Sequence, residues 1–542
     1  MQNAILSRLN DLRAADGLSA VRRYLISLWA RPAPALAPYH QPEAPLRHAM
    51  RKGAVLALII LIGMIYGWLV AVFPLFLYLY LLVPVGILAL IVIWALPEND
   101  NVPAKAINTL FFAIFVTICV WPNYIAIAIA GLPWITFIRL WAVPMALLFV
   151  ISLSVSPRFR REAGEWFQTN PWILWAMLVF IALNFLTLPK SPFPFTSFNS
   201  VLINQIEWTT VFFVSCYIFR KAGRALTWAR MFCGLAIFQS FFCIVELING
   251  RVPWANRIPS FFKVQGDLIE AILAGGSRSA TGEYRIQSIF TTSLSFAEFI
   301  ALSTPFVLYF LINAKRQMIQ IGLLLYLPFS FWIILKTDSR LGVIGFFASL
   351  FLYALFWGIK RWQQDRHTLI APAVVLAYPA VLTAFFALSL IWRRLEVMVW
   401  GGGPQQASNE ARRVQWVGAW RELKEWPLGN GIGSSGVMVG YYDASGNLSL
   451  DSYYITMLVD LGIIGFVAFF SMFAIAAFKS IKVGLVTKDE EIELLLPLGI
   501  MLTVFIIIKA VLSQEDNNSL MFIALGAAVA LFHRATFKPR PN

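Results

Sequence analysis

The residues with chemistry to offer are mostly arginines. Arg285 lies in "YRIQSIFTTSLSFAEF", Arg340 in "KTDSRLGVIGF", and Arg412 and Arg413 in "NEARRVQWVGAWRELKEW". An arginine presents a flat fork of donors matched to phosphate oxygens, whereas a lysine offers only a point charge. Arg340 sits in a polar break of a few residues between two apolar stretches, and Arg285 stands just before another. Both are on short tethers, where one anionic group could be gripped from two sides. The simpler alternative is contact with phospholipid headgroups or with the nearby acids Glu422, Glu425 and Asp443. A carboxylate follows in "LDSYYITMLVDLGIIGF", where Asp451 could accept a proton from an attacking hydroxyl. Asp451 or Ser452 could instead do no more than cap the helix behind it. Six more ionisable residues, Arg139, Glu207, Glu246, Glu298, Asp460 and Lys509, fall within apolar stretches. Such groups are expensive in a bilayer and suggest function, with interhelical pairing or snorkelling as the structural alternative. Arg139 and Glu298 join Arg413 as further site candidates.

The elements that must position these groups are membrane helices. The 542-residue chain is 59% hydrophobic and 13% charged, with a mean hydropathy of +0.71. No soluble core of this size hides so much apolar surface, so the bilayer must act as solvent. A crossing helix needs about 20 apolar residues. The pattern predicts an all-α polytopic membrane protein of about fourteen spans (twelve to fourteen). They start near Gly53, Leu75, Ala106, Trp134, Trp172, Val201, Met231, Ser288, Met318, Leu341, Leu369, Tyr453, Leu494 and Ser519.

Orientation follows from the excess of Lys and Arg on cytoplasmic loops. With both termini inside, the basic groups Arg158/Arg160/Arg161, Arg220/Lys221/Arg224/Arg230, Lys360/Arg361/Arg366 and Lys479/Lys482/Lys488 all fall on the cytoplasmic side. Much of the net charge of +15 is thereby explained without nucleic acid. Cys119, Cys216, Cys233 and Cys243 lie in apolar stretches with neither metal-ligand nor disulfide spacing, and read as small buried hydrophobes.

Residues 1–52 read as a cytoplasmic amphipathic segment and a Pro-rich linker, 53–133 as N-terminal spans, 134–478 as the core, and 479–542 as a helical hairpin and cytoplasmic tail. Two outer loops are long, 250–286 and 392–452. The second contains a helix capped by Ser408 or Asn409, with Val414, Val417, Trp420 and Leu423 repeating at helical spacing. Trp416 and Trp426 widen its apolar side, and "PLGNGIGSSG" stops it. Such a helix would lie on the outer membrane face or across the mouth of the bundle.

Four of these patterns, in this order, resemble the O-antigen ligase and Wzy-type polysaccharide polymerase superfamily. They are the Arg-led "YRIQSIFTTSLSFAEFIAL", the Ser-Arg turn "TDSRLG", the Arg-x3-Trp helix with its Pro-Leu-Gly stop, and "LDSYYITMLVDLGIIGF" with its Gly462-x-x-Gly465. The resemblance covers roughly Trp134 to Phe478. It implies transfer of a glycan from undecaprenyl diphosphate to an acceptor sugar hydroxyl outside the membrane, without nucleotide sugar, metal or cofactor. It places the donor diphosphate on Arg285, Arg340 and Arg412, and adds a chain-length regulator as a partner beside the lipid-linked donor and acceptor and the bilayer.

Ligases of the superfamily place a His where this chain has Asp451. His40, His48, His367 and His533 all fall on the predicted cytoplasmic side. Polymerases often carry Asp-Asn or Asp-Ser there, so the sequence favours a polymerase of the bacterial inner membrane with a periplasmic active site. A ligase acting on a lipid or protein acceptor is the alternative within the class. A transporter is the alternative outside it, although no repeat relates the two halves.

Overall fold

The computed structural model describes residues 45–72, 78–99, 102–129, 134–264, 269, 273, 282, 284–367, 369–393, 396, 400, 406–442, 446 and 448–537. The expected amphipathic segment, most of the Pro-rich linker, Arg278, Arg394 and Asp443 lie outside these residues. The chain divides into two units, Met1–Leu75 and Phe76–Asn542. The first contains helix α1 (Pro45–Val72), whose Leu56, Ile60, Met64 and Trp68 are exposed.

In the second unit the helices are α2 (Tyr78–Trp94), α3 (Ala104–Val120), α4 (Phe137–Val155), α5 (Pro157–Thr169) and α6 (Pro171–Leu186). A broken span follows, α7 (Pro194–Asn204), a π-turn at Gln205–Thr210 and α8 (Val211–Ile218), and then α9 (Arg224–Asn249). Next come α10 (Ser293–Asn313), α11 (Gln317–Lys336), α12 (Arg340–Gln364) and α13 (Ile370–Ile391). The last group is α14 (Gln406–Glu425), the short α15 (Ser435–Val439), α16 (Tyr453–Val486), α17 (Leu495–Lys509) and α18 (Asn518–Phe537). Proline marks several starts, at Pro157, Pro171 and Pro194, where its missing N–H costs nothing.

Eleven helices among the described residues are long and apolar enough to cross a membrane, and Ile60–Leu69, Pro84–Trp94 and Ala104–Val120 are shorter apolar helices. Every expected span falls on one of these elements. The protein is an all-α, multi-pass membrane protein. Three short strands, β1 (Ile125–Ile127), β2 (Ile135–Thr136) and β3 (Lys263–Val264), form one small antiparallel sheet in the order β2-β1-β3.

The alternation of helices sends the loops of this unit to two ends. At one end, here the long-loop end, stand the sheet, the segment before α10, the turn before α12, the region before α16 and the loop 510–517. Contacts tie these loops together: Ser513 donates to the Leu450 carbonyl, Thr291 to Asp516, and Ser197 to the Ile432 carbonyl. The opposite end is held by acids. Glu491 accepts from the amides of Gly223 (2.8 Å) and Ala225 (2.9 Å) at the start of α9 and pairs with Arg534 at 2.7 Å. Helices α10, α17 and α18 form the centre, with about four-fifths of their apolar windows buried, whereas α13 has 6% buried.

All six intramembrane ionisable residues have partners. Arg139 pairs with Glu207 at 2.9 Å, and Lys509 with Glu298 at 3.3 Å, both members of the second pair being fully buried. Asn517 donates to Glu298 at 2.8 Å, completing a polar knot in the centre. Removing one partner of such a knot would strand the other charge in the apolar interior.

Candidate functional site

The turn between α11 and α12 is Thr337-Asp338-Ser339, and Asp338 holds a left-handed φ of 51°. Arg285 docks on this turn. Its Nε donates to the Thr337 carbonyl at 3.0 Å, and the Ile286 amide donates to the Lys336 carbonyl at 3.3 Å. Burial pulls the Arg285 guanidinium below its ordinary value, opposed by the Asp338 carboxylate. Arg340 starts α12 immediately after the turn, where Ser339 caps the helix by accepting from the Gly342 amide at 3.3 Å. The Arg340 guanidinium is close enough to Arg412 and Asp338 to feel both charges. Arg285 and Arg340 therefore share the Asp338 carboxylate, and Arg412, from a third segment, stands beside Arg340.

Two structural devices hold them there. Buried Glu246, on α9, accepts from the Tyr284 hydroxyl (2.7 Å) and from the amides of Gln287 (2.9 Å) and Ser288 (2.8 Å), fixing the backbone on either side of Arg285. Ser288 has a φ of 52°, and among the described residues only it and Asp338 are non-glycines at positive φ. Left-handed backbone at such residues costs about 1–3 kcal/mol and persists only where the surroundings impose it. Here both positions flank an arginine of the cluster.

The second device carries Arg412. Helix α16 breaks at Gly462 (φ 70°), and the loop after α14 fills the break. The amides of Asn430 and Gly431 donate to the Val459 and Asp460 carbonyls at 2.9 Å each, and the Ile463 amide donates to the Pro427 carbonyl at 3.2 Å. Asp460 accepts from the amides of Gly433 (2.8 Å) and Ser435 (2.7 Å), capping α15. This backbone exchange satisfies the groups that the break would leave open in a bilayer. It also lays α14 against the start of α16.

On α14, Arg412 lies one turn before Gln415, and Gln415 meets Asp451. The Asp451 amide donates to Gln415 Oε1 at 3.0 Å, and Gln415 Nε2 lies 3.5 Å from the Asp451 carboxylate. Arg412 Nε is buried without a hydrogen-bond partner among the described residues. An unmet guanidinium donor in a half-buried side chain is set up for an anion.

Several expectations change. The capping role foreseen for Asp451 or Ser452 is not realised: Ser452 occupies the cap position, but its side chain makes no capping bond and its hydroxyl has no partner among the described residues. Tyr453 is fully buried, with its hydroxyl accepting from Asn518 at 3.1 Å. Tyr454 donates to the Ile506 carbonyl at 2.9 Å. Helix α14 starts at Gln406, so Ser408 and Asn409 lie within its first turn and do not precede it. Its protein-facing side is Gln415, Ala419, Glu422 and Leu423, whereas Val414, Val417 and Trp420 are exposed. An apolar stripe turned outward is what a helix lying on a membrane presents. Arg413 is exposed beside that stripe. Arg139 and Glu298 are engaged in the interior ion pairs described above.

One further carboxylate reaches this region. Glu515, in the loop before α18, hydrogen-bonds the hydroxyl of buried Tyr453. Withdrawal from bulk water pushes its carboxyl up to about 7, against the pull of the Tyr453 hydroxyl and Lys509. Its neighbours in "QEDNN" are engaged, Asp516 with Thr291 and Asn517 with Glu298. A polar run opening a helix reads locally as a cap, and only the fold shows Glu515 beneath Tyr453.

Residues 325–470 match the family model described as O-antigen ligase. The resemblance holds over that stretch, which contains Arg340, Arg412 and Asp451 but not Arg285. It supports glycan transfer of the O-antigen ligase and polymerase type by a membrane enzyme. No curated protein matches the chain.

Proposed function

We propose that the protein polymerises undecaprenyl-diphosphate-linked oligosaccharide repeats into an exported polysaccharide, at the periplasmic face of the bacterial inner membrane. The observation that carries the proposal is the placing of Arg285 and Arg340 at the Asp338 turn with Arg412 beside Arg340, and of Asp451 against Gln415, one helical turn beyond Arg412. In this reading the arginines hold the donor diphosphate. The acceptor hydroxyl attacks the anomeric carbon, the bond from that carbon to the diphosphate oxygen breaks, and the proton passes to Asp451. Negative charge grows on the leaving diphosphate, and cations already in place stabilise it at no cost in reorganisation. The distribution of basic residues supports a periplasmic long-loop end, because the Arg220 and Lys360 groups lie at the other. Residues 53–133 and 479–542 then flank a catalytic core at 134–478. A chain-length regulator and a second lipid-linked glycan are the partners this reading requires.

Asp in place of the ligases' His favours polymerase over ligase. The intramembrane charges that suggested a transporter are tied up in fixed pairs. Deleting the gene and analysing undecaprenyl-linked intermediates tests the choice. Single repeats should accumulate, whereas long unattached chains would assign a ligase and an intact surface glycan would remove the assignment.

Asp451→Asn keeps the shape of the side chain and removes its basicity. Turnover should fall about 10²- to 10⁴-fold, the usual share of a positioned base, with donor binding retained. Unchanged turnover with purified lipid-linked substrate would strip Asp451 of the role. Glu515 adds a pH signature. With its carboxyl near 7 it is protonated below neutrality and ionised above it. If it relays the proton, activity rises as pH climbs through about 7, and Glu515→Gln flattens that limb while Asp451→Asn lowers the whole profile. A limb that survives Glu515→Gln excludes the relay.

A further inference from the structure

At the end of the bundle opposite the arginine cluster, a cavity of about 390 Å³ opens between the last turns of α10 and α12 and the first turns of α13 and α17. That volume lies within the range of small-molecule sites. Its lining is polar on one side and oily on the other. Lys360 contributes a charge that is already balanced, with Nζ donating to Glu493 at 2.8 Å and to the Gly484 carbonyl at 2.9 Å. Arg361, next along α12, is exposed and has no carboxylate partner among the described residues. Tyr353 is 3% exposed and lines the cavity, yet its hydroxyl has no hydrogen-bond partner among the described residues.

The oily side consists of Ile312, Trp357, Ile370 and Leu496. Ile312 is 42% exposed and Ile370 65%, so this wall runs out onto the lipid-facing flanks of α10 and α13. Helix α13 begins at Ile370 without a side-chain cap, and its first amides add positive potential at the rim.

We propose that this cavity is a binding site for the phosphate-bearing headgroup of an anionic membrane lipid. Arg361 and the Tyr353 hydroxyl hold the phosphate, and the aliphatic wall takes the glycerol and the first carbons of the chains. Glu493 does not repel the anion because Lys360 neutralises it. The continuity of the wall with the bilayer-facing surface argues for a lipid over a soluble phosphate, which would gain nothing from Ile312 and Ile370. The site is independent of the reaction proposed at the other end.

Native mass spectrometry on the full-length, delipidated protein in detergent tests this, with phosphatidylglycerol, phosphatidylcholine and glycerol 3-phosphate as probes. One phosphatidylglycerol per chain should be retained in preference to phosphatidylcholine. Tyr353→Phe removes only the hydroxyl and Arg361→Gln only the charge; each should weaken retention about tenfold, the order expected for a charge-assisted hydrogen bond. Melting temperatures in lipid-free detergent verify that both variants are folded. Wild-type retention by either variant, or equal retention of phosphatidylcholine, overturns the site. Displacement of the lipid by glycerol 3-phosphate at matched concentration would assign a soluble ligand and overturns the lipid reading.

Discussion

Arg340→Ala should cut glycan transfer by orders of magnitude while leaving the protein folded, inserted and at normal abundance. Arg340 is half-buried, starts α12 on a turn already fixed by Arg285 and Ser339, and has no carboxylate bridge of its own among the described residues. It stands near Arg412, a like charge, with Asp338 as the compensating acid. The like charges of Arg340 and Arg412 repel each other until an anion arrives, so deleting Arg340 relieves that repulsion in the empty protein. The melting temperature of Arg340→Ala should therefore equal or exceed that of the wild type. Transfer should nevertheless fall about 10²- to 10³-fold, the usual loss for one preorganised donor to a developing anion. Arg340→Lys keeps the charge and loses the fork, so it should fall in between. Undiminished product from Arg340→Ala would refute the diphosphate role, and a collapse of melting temperature would make Arg340 a structural residue.

The parts of this protein legible in its sequence were those governed by the bilayer. Apolar length acts residue by residue, so each expected span from Gly53 to Ser519 falls on a helix. The arginines were legible for a related reason, because a charge beside an apolar stretch needs a partner wherever the chain goes. What stayed hidden depends on which segments meet. Glu246 and Glu298 look alike in sequence, yet one braces the Arg285 loop and the other anchors Lys509. The two alternatives for α14 stayed open because helical periodicity locates an apolar stripe without saying whether protein or lipid covers it. Val414, Val417 and Trp420 face outward, and the polar Gln415 faces in to meet Asp451. Glu515 was missed because its only visible context was a polar run at the start of a helix.

The same dependence on distant segments makes Gly462 the most vulnerable single position. "PLGNGIG" reads as a helix stop and "VDLGIIG" as part of a span, and their interlock decides where Arg412 stands relative to Asp451. At Gly462 the backbone is left-handed (φ 70°), and a Cβ there would stand 2.6 Å from the Leu428 carbonyl carbon and 2.9 Å from the Gly429 nitrogen. Both obstacles are backbone and cannot rotate away. Gly429 is tight from the other side, since its own Cβ would stand 2.6 Å from the Asp460 carbonyl oxygen. Gly462→Ala therefore meets a conformational cost of about 1–3 kcal/mol and an overpacking cost of about 1–3 kcal/mol. It also parts the amides of Asn430 and Gly431 from their carbonyl partners within the bilayer bundle. The expected result is a large drop in the yield of monodisperse protein and in melting temperature, with transfer lost in whatever protein remains. Gly436→Ala is the control: it lies in α15, just beyond that loop, and its added Cβ would find its nearest neighbour, Leu448, 4.0 Å away. That variant should behave as wild type. If Gly462→Ala is equally stable and active, the seam between α14 and α16 does not hold the arginine and the carboxylate in place, and another contact must be found to do so.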